Sequence, residues 1–426
     1  MIIERKLNTM IFAVLLIIAI LSQNVYAQQK NIYTLDELIK TGLINNYDIR
    51  KAEAELAKAD GVMEQARSGY IPDISVKRID TKFDNFGATG SEKGYSNSVE
   101  MVTPIYMGGK IGLGLKTARA MHKMARTNLI NTKEKAVFQI ASAYFNVLKA
   151  EDAISVIKES VEQVESHKKI AQAAVNAGKG LENDVLRTEV SLGSLKQMLI
   201  SAQSGYLKSK LALENALGTK LNNDFKLSRI TPPENKFILP ENPVENAVDK
   251  RNDLRALREY IRISELAVGI AKGDNLPQIA VAGSRTEGDK ITPVKDNWSV
   301  SVVTEWKLFD GGLVSGQVNE KRAELEAVKI QYEQLISAIR IELLSGKYDM
   351  EAAFEKIKVS EIAVKQAQES LRITKAQYEN GMITSVTVLD DEVLLSKMKN
   401  DYYEAVYDYH TAVFRIKLAL GQILED

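Results

Sequence analysis

The amino-acid sequence predicts a mostly α-helical chain with a membrane β-barrel, built from two tandem repeats of helix, β-hairpin and two long antiparallel coiled-coil helices. Glycine turns recur 203 residues apart, as at Gly178 and Gly381. The ranges 105–231 and 294–426 contain no proline, which favours very long helices there. Segments ahead of these helices alternate between apolar and polar residues, as strands do. A fixed period indicates that one structural unit is used twice.

The first residues of the chain have the pattern of a secretory signal. Arg5 and Lys6 precede an apolar run at 10–21, and we expect cleavage after Ala27. This run is too short to span a bilayer. The predicted division of the chain is a signal peptide at 1–27, a first repeat at 28–230, a proline-rich linker at 231–243 and a second repeat at 244–426.

Composition excludes several classes of function. Lys plus Arg equals Asp plus Glu at 56 each, so the net charge indicates no nucleic-acid partner. Cysteine is absent from the 426 residues, which excludes disulfides, thiolate metal ligands and cysteine nucleophiles. Stability must come from packing or from oligomerisation.

Each repeat is predicted to begin with a helix and a two-stranded hairpin. The predicted helices lie at 35–68 and 244–273, and the predicted hairpins at about 73–106 and 277–309. The clearest strand is 297–308, because six residues that are mostly apolar share one face there: Trp298, Val300, Val302, Thr304, Trp306 and Leu308. In the first hairpin, Lys77 and Arg78 interrupt the alternation.

The two tryptophans of the chain indicate a membrane position for this sheet. Trp298 and Trp306 are about 27 Å apart along an ideal strand, or about 21 Å in height if the strand is tilted by about 40°. A barrel in the outer membrane carries aromatic residues at both interfaces of an apolar band about 25 Å tall. The alternative is a soluble sheet with two core tryptophans. Four strands cannot close a barrel, whereas three copies would supply twelve.

Each repeat ends in a long helical hairpin, predicted at about 111–217 and 314–420. Apolar residues recur there in alternating steps of three and four, which is typical of left-handed coiled coils. A first helix of this length spans roughly 100 Å at 1.5 Å per residue. It is too long and too polar to lie in a bilayer, so we expect it to stand in water.

No catalytic, metal or cofactor site is predicted. The glycine-rich range 107–114 lacks the Gly-Lys-Ser/Thr ending of a phosphate loop, and only its glycine pair recurs in the second repeat. His122, His167 and His410 have no metal-ligand spacing, so we expect solvated or core histidines. An exported helical enzyme would need a catalytic cluster that the sequence does not provide.

The order of these elements and motifs resembles the TolC-like outer-membrane factor, or outer membrane efflux protein, family. The resemblance covers essentially the whole mature chain. Its motifs are Tyr33–Leu38, Asn45–Arg50, Ala66–Pro72, Ala143–Leu148, Tyr378–Gly381 and the Leu-Gly pairs at 217–218 and 420–421. The resemblance implies a homotrimer in the outer membrane, with a twelve-stranded barrel continued by a twelve-helix tunnel through the periplasm.

The same resemblance implies that the helix turns at about 176–184 and 379–387 are periplasmic tips that meet an adaptor protein. Gly178 and Gly381 would allow the sharp turn at the end of each long helix. The expected adaptor contacts are Leu181, Met382 and Ile383.

The resemblance also places a periplasmic aperture near the tips. Asp390 matches a family position that forms a carboxylate ring, whereas Thr387 stands where the best-known members carry a second aspartate. Asp184 and Tyr378 match positions that hold the aperture shut, and Ile383 stands where the family has an arginine partner. The alternative role for Asp184 is an acid that stabilises a helix N-terminus.

Taken together, these features predict a passive trimeric exit duct of a tripartite efflux pump. Its expected partners are a periplasmic adaptor, an inner-membrane transporter of RND, ABC or MFS type, and outer-membrane lipid. Two alternatives remain: a conduit for type I protein secretion, and a periplasmic coiled-coil scaffold that forms no channel. The duct itself needs no cofactor.

Overall fold

The computed structural model describes residues 32–84, 91–222, 224–288 and 297–425. Its helices and strands, in chain order, are β1 (Ile32–Tyr33), α1 (Leu35–Asn45), α2 (Tyr47–Ser68), β2 (Asp73–Asp84), β3 (Ser91–Met107), α3 (Lys110–Asn176), α4 (Glu182–Leu217), β4 (Lys226–Leu227), α5 (Pro243–Lys250), α6 (Asn252–Gly273), β5 (Gln278–Gly288), β6 (Asn297–Glu305), α7 (Leu313–Glu379) and α8 (Ser385–Ala419). The predicted order of helix, hairpin, long helix and helix in each repeat is confirmed. The signal segment at 1–27 lies outside the described residues.

The two long helices are equal in length. Helices α3 and α7 each contain 67 residues and therefore span about 100 Å, as the sequence predicts. Each begins directly after a glycine with positive φ, at Gly109 and Gly312. A glycine is needed at this position because other residues rarely adopt a left-handed backbone conformation.

Each predicted lead-in helix is in fact two helices, which corrects the sequence prediction. The breaks lie at Asn46 and Arg251, whose backbones are not helical, with ψ angles of 133° and 126°. The Asn46 side chain accepts a hydrogen bond from the backbone N–H of Asp48 and so caps α2. Arg251 instead forms ion pairs with Asp253 and Glu342, which hold the second break against α7.

The four long strands form one antiparallel sheet in the order β2-β3-β5-β6. Residues directly opposite each other share a face, so Ile74 and Val76 lie beside Met101 and Val99. Lys77 lies on the other face, whereas Arg78 shares the face of Ile74 and Val76 and ends its apolar run. The apolar face continues across the sheet through Val281, Val300 and Val302, whereas the opposite face carries mostly serine, threonine, alanine and charged residues.

The last strand is shorter than the sequence predicts. Strand β6 ends at Glu305, so Trp306 and Leu308 follow it instead of lying within it. The indole N–H of Trp306 donates to the carbonyl oxygen of Asn275 at 3.1 Å. This bond holds the segment after β6 near the α6–β5 junction. Pairing stops here because β5 begins at Gln278, the partner of Glu305.

The helices form a wall that continues the sheet. Next to the sheet, the helices pack in the order α2-α3-α6-α7, which matches the strand order because each strand joins one of these helices. At the other end the order is α4-α3-α8-α7. Helix α7 therefore forms one edge of the wall along its whole length, and α2 and α4 form the other. In the described part of the chain, no helix is long and apolar enough to cross a membrane.

Additional elements pack on the wall near the middle of α3. There, β1 and β4 form a short parallel pair that the sequence does not predict. The hydroxyl of buried Tyr144 donates to the backbone carbonyl of Ser228 at 2.6 Å, which fixes the segment after β4 on α3. Buried residues of α3, α4 and β4 form one core cluster, and residues of α5, α7 and α8 form another.

Candidate functional site

The ends of the two helical hairpins form the same turn. After α3, the N–H of Lys179 donates to Ala174 and Gly178 has a φ of +69°. After α7, the N–H of Met382 donates to Gln377 and Gly381 has a φ of +71°. This is the Schellman arrangement, in which a left-handed glycine ends the helix. The structure therefore places both predicted tip glycines in turns that require glycine.

The predicted contact residues at the tips differ in exposure. Leu181 and Met382 are 69% and 72% exposed, although both are apolar. Ile383 instead packs against a buried cluster that includes Leu371 and Val388. The two tips thus present one exposed apolar side chain each, and Ile383 supports the turn from inside.

The predicted aperture residues lie on the first turns of α8. Thr387 and Asp390 are both exposed and are three residues apart, so they share one face of the helix. The neighbouring Asp391 points elsewhere, because its carboxylate accepts hydrogen bonds from Ser370 and Thr374 of α7 at 2.9 Å and 3.0 Å. Only Asp390 of these two acids is available on the exposed face.

Asp184 and Tyr378 come together in the folded chain. Asp184 lies in the first turn of α4, and Tyr378 in the last turn of α7. Burial, together with the nearby Asp184 charge, raises the pKa of Tyr378. Asp184 therefore lies at a helix N-terminus, and its charge acts on the Tyr378 hydroxyl.

A buried contact between the repeats lies next to this pair. His167 of α3 is 2% exposed, and its Nε2 lies 2.7 Å from the hydroxyl of Ser385 at the start of α8. The His167 and Tyr378 rings are 4.8 Å apart. Burial, and then the charge of Lys375, lowers the pKa of His167 to about 4, so the ring is neutral near pH 7. These three side chains join α3, α7 and α8 above the tips.

The sequence analysis considered His167 as a core histidine but did not find its partners. Ser385 lies 218 residues away in the chain, so no local spacing indicates the pair. Buried Glu392 was missed for the same reason. Its Oε1 lies 3.0 Å from the Lys375 ammonium, and burial raises the pKa of this carboxyl group.

The two tryptophans lie at opposite ends of β6. Trp298 is 74% exposed and pairs with Arg285 of β5, whereas Trp306 is 58% exposed and follows the strand. Both side chains are therefore available to surroundings outside the sheet. Within the described residues, no group of three or more His, Asp or Glu side chains could hold a metal ion.

The chain matches a family model over most of its length. The model is described as "Outer membrane efflux protein", and it matches residues 38–219 and 244–422. These two ranges correspond to the two repeats of the structure.

Characterised relatives are also similar to this chain over most of its length. The outer membrane efflux protein BepC of Brucella suis biovar 1 is 20% identical over 393 residues, which cover 90% of this chain and 84% of BepC. The outer membrane protein TolC of Escherichia coli K12 is 22% identical over 421 residues, which cover 92% of this chain and 83% of TolC.

Solved structures share the fold. The CmeC outer membrane channel of Campylobacter jejuni has a TM-score of 0.82 against this chain at 15% identity. The alignment covers 91% of this chain and 86% of CmeC. The sheet and the helical wall thus occur together in a known channel fold.

Proposed function

This chain belongs to the outer membrane efflux protein family, and on that premise we propose that three copies form a passive exit duct across the periplasm and the outer membrane. The duct binds no nucleotide and performs no chemistry. An inner-membrane transporter supplies the energy, and a periplasmic adaptor connects the transporter to the tips. This proposal rests on one observation about the described part of the chain: its sheet and its helical wall each have two open edges, to which further copies could be added.

These edges argue for an assembly of several copies. Among the described residues, strands β2 and β6 each lack a neighbour on one side. An unpaired strand edge with apolar side chains is unstable in isolation. Three copies bring twelve strands, which at about 4.8 Å spacing and about 40° tilt close at a diameter of about 24 Å. Twelve helices about 9.5 Å apart form a ring about 36 Å across between helix axes, which leaves room for a lumen that continues the barrel.

The tips supply the docking surface for the adaptor. Leu181 and Met382 are exposed apolar residues held on rigid turns, which is typical of protein contact sites. Photo-crosslinking from position 382 in cells should capture a periplasmic adaptor. The control is Ile238, which is 86% exposed in the mid-height linker. Equal capture of the adaptor from both positions would contradict docking at the tips.

Three measurements test the duct itself. The full-length protein should fractionate with the outer membrane, should have the mass of three chains in detergent, and should conduct ions poorly in a planar bilayer. A product that stays in solution without detergent and gives no conductance would favour the coiled-coil scaffold. The identity of the transporter that is captured with the adaptor would also distinguish efflux of small molecules from type I secretion of proteins.

A further inference from the structure

The two repeats meet inside the chain at a close contact between two turns. Gly108 ends the sheet before α3, and Gly273 ends α6 before β5. A side-chain carbon at Gly108 would overlap the carbonyl oxygen of Gly273. Beside them, the Lys110 ammonium lies 2.6 Å from the Asp274 carboxylate. Both glycines are buried.

The same two turns occur a second time, at the free edges of the chain. Gly311 has a φ of +68°, close to the +63° of Gly108, and lies 203 residues later. Ser68 ends α2 as Gly273 ends α6, 205 residues apart. The backbone hydrogen bond that follows each helix is also repeated. The N–H of Ile71 donates to the carbonyl of Ser68, and the N–H of Leu276 donates to the carbonyl of Gly273.

The exposure of the two pairs is opposite. Gly108 and Gly273 are buried by each other, whereas Gly311 and Ser68 are both exposed. A side-chain carbon at Gly311 would meet no atom within 4 Å. The Gly108 and Gly273 turns thus contact each other within the chain, whereas the equivalent Gly311 and Ser68 turns lie on opposite edges of the same molecule.

We propose that the Gly311 turn of one copy packs against the Ser68 turn of the next copy, in an arrangement like that of Gly108 and Gly273 but slightly further apart. The wider spacing is needed because a side-chain carbon at Gly273 would lie 2.6 Å from the Gly108 carbonyl oxygen, and Ser68 carries such a carbon. The proposal rests on the proposed assembly of several copies and adds the residues that join them. Each copy contributes one turn to each of its two neighbours. The contact then repeats around a closed ring, which is the property of a head-to-tail interface.

The chemistry of the contact between copies differs from the contact within the chain. The positions equivalent to Lys110 and Asp274 are Leu313 and Gly69, so the ion pair is replaced by an apolar residue. Leu313 is 63% exposed in the single chain, and exposed apolar residues flank both turns: Tyr70, Ile71, Leu308 and Phe309. This junction between copies is apolar, so its strength should not depend on salt.

A disulfide can test the contact because the chain has no cysteine of its own. Inside the chain, a side-chain carbon built at Gly273 lies 3.0 Å from Cγ of Lys110. The two Cβ positions are therefore within about 4.5 Å, which suits a disulfide. The equivalent positions between copies are Ser68 and Leu313. Both lie at helix ends, where cysteine fits without backbone strain.

The double variant Ser68→Cys with Leu313→Cys should give covalent dimers and trimers on a denaturing gel after oxidation, and reduction should return them to monomers. Neither single variant should form these bands. The matched control joins Ser68→Cys with Val359→Cys, because Val359 is also on α7 and is 67% exposed but lies about 69 Å further along the helix. It should remain monomeric on the gel.

The native mass in detergent and the bilayer conductance separate the two proposals. A double variant that has the mass of three chains and conducts like the parent protein, but forms no disulfide, would overturn this contact and leave the duct intact. A parent protein that stays monomeric in detergent would overturn both.

Discussion

At the scale of residues, a few buried polar side chains join α3 to α8. The Tyr407 hydroxyl donates to the Asp152 carboxylate at 2.6 Å, and Arg229 lies 3.0 Å from the same carboxylate. His167 contacts Ser385 nearer the tips. Buried polar groups that lose their partners are costly, so these contacts favour a closed seam between the two repeats.

His167 should make the stability of the protein depend on pH. In an unfolded chain a histidine binds a proton below about pH 6.5, whereas burial lowers the pKa of His167 to about 4. Between these values only the unfolded state is protonated, so the free energy of unfolding should fall as the pH falls from 6.5 to 4. The full difference is about 3 kcal/mol. Thermal unfolding across this range measures it.

The variant His167→Gln should flatten this pH dependence, because glutamine can bond to Ser385 but does not titrate. His122→Gln is the matched control. His122 is a partly exposed histidine 3.1 Å from Asp60, so this variant also removes one histidine but leaves the contact of His167 with Ser385 in place. An unchanged slope in His167→Gln would show that this residue is not responsible for it.

Asp390 should set the ion selectivity of the duct. Three exposed carboxylates near the axis of a narrow trimer attract cations, so Asp390→Asn should lower the cation-to-anion permeability ratio toward one. Asp391→Asn removes the same charge one residue away, from a carboxylate bonded within the hairpin. The selectivity is measured from reversal potentials in a salt gradient. If only Asp391→Asn changed these potentials, Asp390 would not lie at the constriction.

At the scale of elements, glycine turns decide where the long helices end. The turn after α7 needs a left-handed residue at Gly381, and a side-chain carbon there would meet no other atom within 4 Å. The cost of replacing this glycine therefore comes from backbone conformation and not from a clash. The same holds for Gly178 after α3.

Gly381→Ala should destabilise the protein by about 1–2 kcal/mol, because alanine is strained at positive φ. Gly205→Ala makes the same change in the middle of α4, where the backbone is helical and the added carbon meets no atom within 4 Å. Helix propensity predicts stabilisation of about 1 kcal/mol at that site. Unfolding midpoints in detergent should therefore move in opposite directions.

At the scale of the whole molecule, the two faces of the sheet meet different surroundings. Val300 and Ser301 are neighbours on β6, so their side chains lie on opposite faces. Val300 is 68% exposed within the apolar face, which would contact lipid in the assembled duct. Ser301 belongs to the polar face and would point into the lumen.

Val302 shares the face of Val300, is also 68% exposed and lies midway between Trp298 and Trp306. Val302→Arg should reduce the amount of protein in the outer membrane, because a cation near the middle of the lipid face costs about 2–4 kcal/mol per copy. Ser301→Arg should insert normally and change only the conductance. Membrane fractionation of the two variants compares them directly. Equal loss of both variants from the membrane would contradict the assignment of the faces.

Most of the architecture can be predicted from the sequence because the signals are local. Helix period, strand alternation and glycine turns depend on residues a few positions apart, and the second repeat tests each interpretation of the first. The predicted strand to Leu308 was wrong because the partner strand β5 begins at Gln278, opposite Glu305, so the pairing ends there. The lead-in helices break at Asn46 and Arg251 through a side-chain cap and ion pairs that propensity does not reveal.

The sequence by itself determined the two repeats, the order of their elements and the length of the helical hairpins, since these follow from period and turn residues. Only the tertiary structure decided the buried contact of His167 with Ser385, because its partners are 218 residues apart. The tertiary structure also showed that one pair of junction turns is buried while its equivalent is exposed. That difference depends on which edges meet in space, and no local pattern of residues records it.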